Sequence, residues 1–156
     1  MIEKMDLASQ VCNGAALRKA SRRVTQLYDS VLAPCGLGVA QRVLMVHISR
    51  LKKPTISELA RDLALDRSTL GRNLKLLERD RYIELVRDEQ DARNKRVLLT
   101  RDGQAKLQHS DLLWCKAQSQ FELAYGKKRA AELRTAMAEL FSDTFWNTFE
   151  QARRSV

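Results

Sequence analysis

The chain has 156 residues, enough for one domain with a buried core and too few for two ordinary domains. Two prolines and six glycines favour helices over a β-rich fold, and no apolar run approaches the roughly 18 residues that a membrane-spanning helix requires. The formal net charge of +9 favours a polyanionic partner, whereas three scattered cysteines and two histidines favour neither a disulfide framework nor a closed zinc site.

Two helices are predicted before Pro54. In the first, over residues 7–32, apolar side chains recur three and four positions apart, at Leu17, Ala20, Val24, Leu27 and Val31. The run from Ala33 through Pro34 to Gly36 ends this helix, because proline disfavours a helical residue before it and glycine suits the exit. A second helix is predicted over residues 39–51, with a buried side that comprises Val43, Leu44, Val46 and Ile48.

A helix-turn-helix is predicted next. Thr55 and Glu58 have the spacing of a capping box, so a third helix is predicted to begin at Thr55 and to end before the turn at residues 64–65. Asp66 is predicted to cap the fourth helix, since a carboxylate there accepts hydrogen bonds from unpaired backbone N–H groups. Apolar side chains then recur on the side that is predicted to pack inward, at Leu70, Leu74 and Leu77.

A two-stranded hairpin is predicted after the fourth helix. Residues 82–86 and 96–99 are short apolar runs, and the polar residues 88–94 between them suit a hairpin tip. Thr100 closes the second strand and caps a long helix that begins near Arg101. The order of these elements predicts a helix-turn-helix followed by a wing.

The C-terminal part of the chain is predicted to form a dimer interface. A heptad-like seam follows the long helix through Leu107, Ser110, Trp114, Ala117, Phe121 and Ala124, and Gly126 ends it. One last helix is predicted to carry Leu133, Met137, Phe141, Phe145 and Phe149, with Leu140 and Trp146 beside them. This apolar surface predicts a homodimer whose interface is built from both ends of the chain.

Together these elements predict a mainly α fold with a small β wing. We expect a single domain over residues 1–156, in which residues 37–106 form a winged helix-turn-helix and residues 1–33 and 107–156 form a helical dimerisation region. Residues 50–106 hold 15 Lys or Arg against 10 Asp or Glu, which is a net +5 of the chain's +9. Such a basic surface supplies the salt-dependent part of nucleic-acid affinity, although charge alone does not distinguish it from a solvated surface.

The fourth helix and the wing tip carry the side chains predicted to contact DNA. The first turns of a major-groove helix meet base edges, and a guanidinium at a hairpin tip suits the narrow minor groove. Gly71 costs a helix about 1 kcal/mol relative to alanine, which close approach of the backbone to DNA would explain. The predicted contacts are Thr55, Arg67, Ser68, Thr69, Gly71, Arg72, Asn73, Lys75, Arg93 and Lys95, with Asp91 holding Arg93. The alternative is an ordinary surface helix with a solvated charged turn.

Several motifs of the predicted winged unit occur together. They are Ser68-Thr69-Leu70-Gly71-Arg72, Asp91-x-Arg93 and Val97-Leu98-Leu99-Thr100-x-x-Gly103, preceded by Pro34-x-Gly36-Leu37. In this combination the sequence resembles the MarR family of winged-helix regulators over essentially its whole length. The resemblance implies a homodimer that binds a pseudo-palindromic operator in double-stranded DNA, and whose control of transcription is relieved by a small molecule or by oxidation.

Two positions depart from the pattern of that family. Arg81 stands where the family usually has a glycine after the recognition helix, so a left-handed backbone would be strained and we expect a differently shaped junction. Asn94 stands where the wing often has a second arginine, which removes a phosphate contact.

The resemblance also suggests residues that control release from DNA. Cys12 lies near the position of the reactive cysteine in the family's peroxide sensors, and Tyr28 matches a tyrosine that hydrogen-bonds the sensor sulfur. Val39 stands where a second such tyrosine is expected, and an inert thiol is the alternative for Cys12. Cys35 and Cys115 are expected to pack rather than react.

A phenolic or other anionic effector is the second kind of control that the resemblance implies. Arg18, Arg22 and Arg42 are candidates for an anion pocket between the first two helices and the winged domain, although solvated arginines are the alternative. His47 is a further candidate, and its alternative is a hydrogen-bonded core histidine.

The sequence contains no nucleophile elbow, phosphate-binding loop or metal-binding histidine pair, so we expect neither an enzyme nor a metal or other cofactor. Two other hypotheses stay open: a protein-interaction module that has lost DNA binding, and a thiol enzyme that uses Cys12. The N-terminus has no apolar segment of signal-peptide length, and a cytoplasmic location is expected.

Overall fold

The computed structural model describes residues 12–89, 91 and 93–155. Its elements are α1 (Asn13–Leu32), a short 3-10 helix (Ala33–Cys35), α2 (Val39–Leu51), α3 (Ile56–Asp62), α4 (Arg67–Arg79), β1 (Ile83–Arg87), β2 (Lys95–Leu99), α5 (Arg101–Tyr125), α6 (Lys127–Leu140) and α7 (Asp143–Arg154). The chain divides into two compact units, Met1–Cys115 and Lys116–Val156, with the boundary inside α5. The prediction of a mainly α fold with a small β wing is confirmed; residues 7–11 of the predicted first helix lie outside the described residues.

One hydrophobic core holds the first unit together. It takes side chains from every helix between α1 and α4 and from both strands: Leu32, Cys35, Leu37, Leu44, Met45, Ile48, Leu59, Leu70, Leu74, Leu77, Ile83 and Val97. Full burial of an aliphatic side chain contributes about 1.5–3 kcal/mol, so this cluster accounts for much of the unit's stability. The predicted inward leucines of α4 are buried, whereas in α2 Leu44 and Ile48 are buried, Val46 is half-buried and Val43 is exposed. On the predicted apolar face of α1, Leu17, Ala20 and Leu27 are exposed, and Val24 and Val31 are half-buried.

The starts of α3 and α4 follow from their capping residues. At α3 the Thr55 hydroxyl accepts a hydrogen bond from the Glu58 backbone N–H at 3.2 Å, and the Glu58 carboxylate accepts one from the Thr55 N–H at 2.7 Å. The predicted capping box is therefore confirmed. Asp66 caps α4, as predicted, after a turn in which Ala64 has a left-handed backbone with φ of 49°.

Arg81 corrects an expectation about the end of α4. The Tyr82 N–H donates to the Leu77 carbonyl at 2.9 Å and the Arg81 N–H donates to the Glu78 carbonyl at 3.0 Å, which is the hydrogen-bond pattern of a Schellman motif. Arg81 has φ of 60°, so the left-handed turn forms even though the residue is not glycine. The predicted change of shape at this junction is wrong, because the two paired carbonyls offset a backbone cost of about 1–2 kcal/mol.

The two strands form an antiparallel hairpin, with Ile83 opposite Leu99 and Arg87 opposite Lys95. β1 lies one residue later than predicted, and β2 begins one residue earlier than predicted and ends at the predicted residue. Thr100 follows β2 and caps α5, since its hydroxyl accepts from the Gly103 N–H at 3.0 Å and donates to the Arg81 carbonyl at 2.7 Å. The wing is thereby joined at its base to the end of α4 and to the start of α5.

The second unit corrects the prediction of one last helix. α6 ends at Leu140, and α7 begins after Ser142, whose hydroxyl accepts from the Phe145 N–H at 3.1 Å. A serine in this position caps a new helix instead of continuing the old one. The apolar repeat continues across the break, and its members are exposed in the single chain: Met137, Leu140, Phe141, Phe145, Trp146 and Phe149.

Among the described residues no single helix is long and apolar enough to cross a membrane. One pair, Asn13–Cys35 with Val39–Leu51, passes that test only when its two members are taken together, and it is bent by 77°.

The contact between α5 and the chain before β1 predicts the effect of a methyl group at Gly103. A Cβ at Gly103 would lie 2.0 Å from the Tyr82 carbonyl oxygen, so Gly103→Ala forces the backbone of the wing away from α5. We expect a loss of about 2 kcal/mol or more in the free energy of unfolding, measured by chemical denaturation.

Gly71→Ala is the matched control, since no other part of the described structure lies within 4 Å of a Cβ at that helical position. It should raise stability by about 0.5–1 kcal/mol. Equal stability of Gly103→Ala and the unaltered chain would contradict the described packing at Tyr82.

Candidate nucleic-acid interface

α4 has one buried side and one polar side. Leu70, Leu74 and Leu77 are buried in the core, at three- and four-residue spacing. The residues predicted to contact DNA lie on the remaining surface: Arg67, Ser68, Arg72 and Lys75 are exposed, and Thr69, Gly71 and Asn73 are half-buried. The leucines thus fix which side of the helix faces outward, and that side carries both basic residues and uncharged polar residues.

The Asp66 carboxylate organises the first turn of α4. One oxygen accepts hydrogen bonds from the Ser68 hydroxyl at 2.6 Å and from the Thr69 backbone N–H at 2.8 Å, and the other accepts from the Thr69 hydroxyl at 2.7 Å. These hydrogen bonds hold the pKa of Asp66 far below its ordinary value, and the bond from the Ser68 hydroxyl has the largest effect. The carboxylate is therefore ionised at physiological pH. The cap was predicted from the sequence, whereas the two hydroxyl contacts were not.

Two cations of this surface, Arg67 and Arg72, have neutral partners. The Arg67 guanidinium donates to the Ser57 hydroxyl at 3.1 Å, and the Arg72 guanidinium lies 3.4 Å from the Thr69 hydroxyl oxygen. Within the described part of the chain no carboxylate forms an ion pair with these two arginines or with Lys75. Their positive charge is therefore available to a polyanion.

The wing tip is held by Asp91. Its carboxylate accepts from the Arg93 backbone N–H at 3.0 Å and from the Asn94 side-chain amide at 3.1 Å. The predicted support of Arg93 by Asp91 thus acts on the backbone, and the Arg93 side chain is exposed, as is Lys95. Asn94, which departs from the family pattern, contributes one of the bonds that hold the tip.

An ion pair that was not predicted from the sequence anchors the wing. Arg96 contacts the buried carboxylate of Asp88 at 3.0 Å and also donates to the Lys53 carbonyl at 2.9 Å. The bond to Asp88 raises the pKa of the guanidinium above its ordinary value. The Val97 N–H donates to the Pro54 carbonyl at 2.9 Å beside it. The sequence does place Asp88 and Arg96, of opposite charge, on either side of the hairpin tip. A solvated charged turn without an ion pair has the same pattern, so the sequence did not predict the contact.

Thr55 lies where the helix-turn-helix meets the wing. Its side chain caps α3, and its backbone forms an isolated antiparallel bridge with Arg96. The hydroxyl both accepts from the Glu58 N–H and donates to the Glu58 carboxylate at 3.0 Å. A predicted DNA contact thus has a structural task that keeps α3 and β2 together.

The residues predicted to control release do not come together in the single chain. Cys12, Arg18 and Arg22 line an open groove of about 830 Å³ along α1, whose other lining residues also belong to that helix. Arg42 and His47 do not line it. Cys12 is exposed, whereas Tyr28 is half-buried and outside the groove.

Arg42 and His47 have partners of their own. The buried Arg42 guanidinium donates to Ser110 at 3.0 Å and to Asp111 at 2.6 Å, and lies 4.8 Å from the centre of the Trp114 ring. It therefore joins α2 to α5.

His47 contacts the Asp62 carboxylate through Nδ1, and Arg50 donates to the same carboxylate at 2.7 Å and 2.8 Å. The hydrogen bond from His47 is the largest cause that lowers the pKa of Asp62. This matches the alternative interpretation of His47 as a hydrogen-bonded histidine, and the contact joins α2 to α3.

The other two cysteines differ from each other. Cys35 is buried and its thiol donates to the Leu32 carbonyl at 3.0 Å, as its predicted packing role requires. Cys115 is exposed in the single chain, so its predicted packing is not seen there.

Comparisons with known proteins agree on one family. A family model described as the MarR family matches residues 36–94. The HTH-type transcriptional regulator SarZ of Staphylococcus epidermidis is 30% identical over 102 residues, which are 65% of this chain and 68% of SarZ. SarZ of Staphylococcus aureus is 24% identical over 147 residues, which are 94% of this chain and 97% of that protein.

Solved structures give the same result. The M. tuberculosis transcriptional regulator MosR, in complex with DNA, is 34% identical with a TM-score of 0.69, over 83% of this chain and 98% of MosR. A mutant MarR from E. coli, in complex with operator DNA, has a TM-score of 0.75 at 21% identity, over 83% of this chain and 93% of that one. At that identity the second likeness supports the fold alone.

The open space around Gly71 predicts a separation of stability from DNA affinity. Gly71→Ala adds a methyl group to the polar side of α4, where we expect it to stabilise the helix and, if that side is the predicted DNA contact, to stand between the backbone and the groove. We expect DNA affinity to fall about tenfold while the melting temperature rises. Fluorescence anisotropy with a genomic fragment selected by the unaltered protein provides the measurement; an unchanged affinity would show that Gly71 is merely a tolerated surface glycine.

Proposed function

This chain belongs to the MarR family and is a DNA-binding transcriptional regulator, not an enzyme, and we propose that it represses transcription as a homodimer on a pseudo-palindromic operator. The observation that carries the proposal is the polar side of α4, where Arg67, Arg72 and Lys75 are exposed beside Ser68 and Thr69. This arrangement combines phosphate-binding cations with short side chains that reach base edges.

In the proposed complex α4 lies in the major groove. Its N-terminal turn, with Ser68, Thr69 and Arg72, meets the bases, and Gly71 and Asn73 allow the helix to approach closely. Arg67, Lys75 and the N-terminus of α3 at Thr55 contact the phosphate backbone. A dimer would place two such helices about one turn of B-DNA apart, roughly 34 Å, which is why a pseudo-palindromic site is expected.

The wing is proposed to contact the flanking minor groove. Arg93 extends from the hairpin tip, and Lys95 lies at the start of β2. The narrow minor groove concentrates negative potential, which a guanidinium satisfies. Asp91 supports this contact by holding the backbone at Arg93, and the ion pair between Asp88 and Arg96 keeps the hairpin against the α2–α3 connection.

The dimer is proposed to use both ends of the chain, outside the winged part over residues 37–106. Leu17 and Leu27 are exposed on α1, and Phe141, Trp146 and Phe149 are exposed in the second unit. The Trp146 side chain, for example, is 64% exposed. Exposed apolar surface of this extent supports association with a second copy, because burying it removes apolar area from water.

Release from the operator is proposed to depend on a small anionic or phenolic ligand. Arg18 and Arg22 support this idea, since they are exposed along α1 and no described residue forms an ion pair with them. Arg42 and His47, which have partners within the chain, are proposed to sense the ligand only through α2. The named relatives are bacterial proteins, and in bacteria the chromosome lies in the cytoplasm, so the proposal places the protein there.

Oxidation of Cys12 is the second candidate for release. Cys12 is exposed at the N-terminal end of α1, where an oxidant reaches the thiol without unfolding of the chain. Tyr28 belongs to the same helix. Oxidation to a sulfenic acid would add a polar group to the end of a helix that is proposed to lie at the dimer interface.

Truncation of the two central arginines tests the DNA contacts. We expect Arg72→Ala and Arg93→Ala each to weaken operator binding about tenfold or more, because each removes a guanidinium from a groove. The operator is first obtained by selecting bound genomic fragments, and affinity is then measured by anisotropy at fixed salt.

Arg79→Ala is the matched control, since Arg79 lies at the far end of α4 and pairs with Asp80 at 2.9 Å. Sedimentation should show all three variants as folded dimers. Full affinity in both groove variants would contradict the proposed interface, and a monomeric unaltered protein would contradict the dimer.

A second measurement distinguishes the two modes of release. Operator binding is followed with hydrogen peroxide, and separately with a panel of phenolic acids, for the unaltered chain and for Cys12→Ser. If a ligand controls release, phenolic acids dissociate both proteins and peroxide dissociates neither.

Redox control gives the opposite pattern: peroxide lowers the affinity of the unaltered chain at least about tenfold and leaves Cys12→Ser bound. Cys115→Ser is the matched control, because Cys115 is also exposed but lies on α5. Equal loss in Cys12→Ser would exclude Cys12 as the sensor.

A further inference from the structure

The hydrogen-bond donors at the start of α4 are directed inward, toward Asp66. Ser68 and Thr69 each have a single hydroxyl hydrogen, and each is donated to the Asp66 carboxylate, at 2.6 Å and 2.7 Å. An ionised carboxylate only accepts hydrogen bonds, so neither hydroxyl is able to act as the acceptor in these two contacts. The lowered pKa of Asp66 keeps the group ionised across the physiological range.

The hydroxyl oxygens keep acceptor capacity. A hydroxyl has two acceptor lone pairs beside its one hydrogen. At Thr69 one of them faces the Arg72 guanidinium at 3.4 Å, and one remains. Ser68 is exposed, so its oxygen is accessible to a ligand. Toward an incoming base edge, both side chains therefore present acceptors and no donor.

We propose that Asp66 sets the hydrogen-bond polarity of the recognition surface, so that Ser68 and Thr69 select the exocyclic amino groups of adenine or cytosine in the major groove. This inference rests on the proposed placement of α4 in that groove. Serine and threonine in general contact either donors or acceptors on bases, because the hydroxyl rotates. Here the carboxylate removes that freedom before DNA arrives.

Arg72, one helical turn after Ser68 and Thr69, presents hydrogen-bond donors where those two residues present acceptors. A guanidinium only donates, and its preferred base edge is the pair of acceptors on guanine. The predicted half-site therefore contains an amino-bearing base at the position of Ser68 or Thr69 and an acceptor-rich base at the position of Arg72. Asp66 itself touches no base in this scheme; it is a positioning residue.

Asp66→Asn tests this inference with little effect on folding, since asparagine is as effective as aspartate at a helix N-cap. The amide oxygen is needed to accept from the Thr69 backbone N–H, which leaves the amide nitrogen beside the Thr69 hydroxyl. That nitrogen donates, so the Thr69 hydrogen is released and points outward. The variant thus converts one acceptor on the recognition surface into a donor.

The experiment selects binding sites from a randomised duplex library with the unaltered protein, Asp66→Asn and Glu78→Gln. Glu78→Gln is the matched control, because it removes one negative charge from the exposed C-terminal end of α4 without contact to either hydroxyl. The selected operator is then remade with base analogues that lack the exocyclic amino group, purine for adenine or pyrimidin-2-one for cytosine. Anisotropy measures the affinity of the unaltered protein for each.

We expect the unaltered protein and Glu78→Gln to share one preferred site, and removal of one amino group in each half-site to weaken binding by about tenfold. At the position that Thr69 contacts, Asp66→Asn should lose that preference, accept guanine or thymine, and bind the operator that lacks this amino group as well as the original; the position that Ser68 contacts should be unchanged. Thr69→Val should lose the preference without acquiring a new one.

Two results would overturn the inference: an unchanged site preference in Asp66→Asn, or full affinity of the unaltered protein for every amino-deleted operator. Either result leaves the proposed function intact, because a site has still been selected. If the unaltered protein selects no common sequence, the proposed function fails and this inference fails with it.

Discussion

Burial of one side of α4 is the constraint on which the rest of the structure depends. Leu70, Leu74 and Leu77 enter the core, and at about 1.5–3 kcal/mol for each side chain their burial fixes the rotation of the helix about its axis. The direction of the polar side follows from this burial, because both sides belong to one helix. The buried leucines therefore hold the cations and the glycine of the polar side in one orientation, which those residues do not supply themselves.

The two ends of α4 make its orientation definite. Asp66 satisfies the N–H of Thr69 at one end, and the left-handed turn at Arg81 satisfies two carbonyls at the other. The Arg81 turn costs backbone energy that a glycine would not, and the chain nevertheless keeps its shape there. The hydrogen bonds at the end of α4 therefore determine the backbone geometry of the turn, and Arg81 adopts the left-handed conformation that they require.

Polar contacts join the wing and α2 to the helix pair α3–α4, and join α5 to α2. Arg96 links β2 to Asp88 and to the Lys53 carbonyl, and Thr100 links the strand end to Arg81. The His47 contact with Asp62 joins α2 to α3, and Arg42 joins α2 to α5. The groups predicted to contact DNA are thus supported by polar contacts between different elements of the fold. α2 contacts α1 and α4, and it contacts α5 through Arg42.

The sequence by itself determined the features that depend on near neighbours in the chain. The capping box at Thr55, the Asp66 cap and the leucine spacing of α4 each involve residues within a few positions, so they were predicted correctly together with the family. The break at Ser142 was missed because the four-residue apolar repeat runs through it. Only the tertiary structure decided that Arg42 and His47 have internal partners, that Arg96 pairs with Asp88, and that the Ser68 and Thr69 hydroxyls point at one carboxylate. The Arg42, His47 and Arg96 contacts depend on elements or strands brought together by folding, and the hydroxyl contacts depend on side-chain rotamers; residue spacing alone fixes neither.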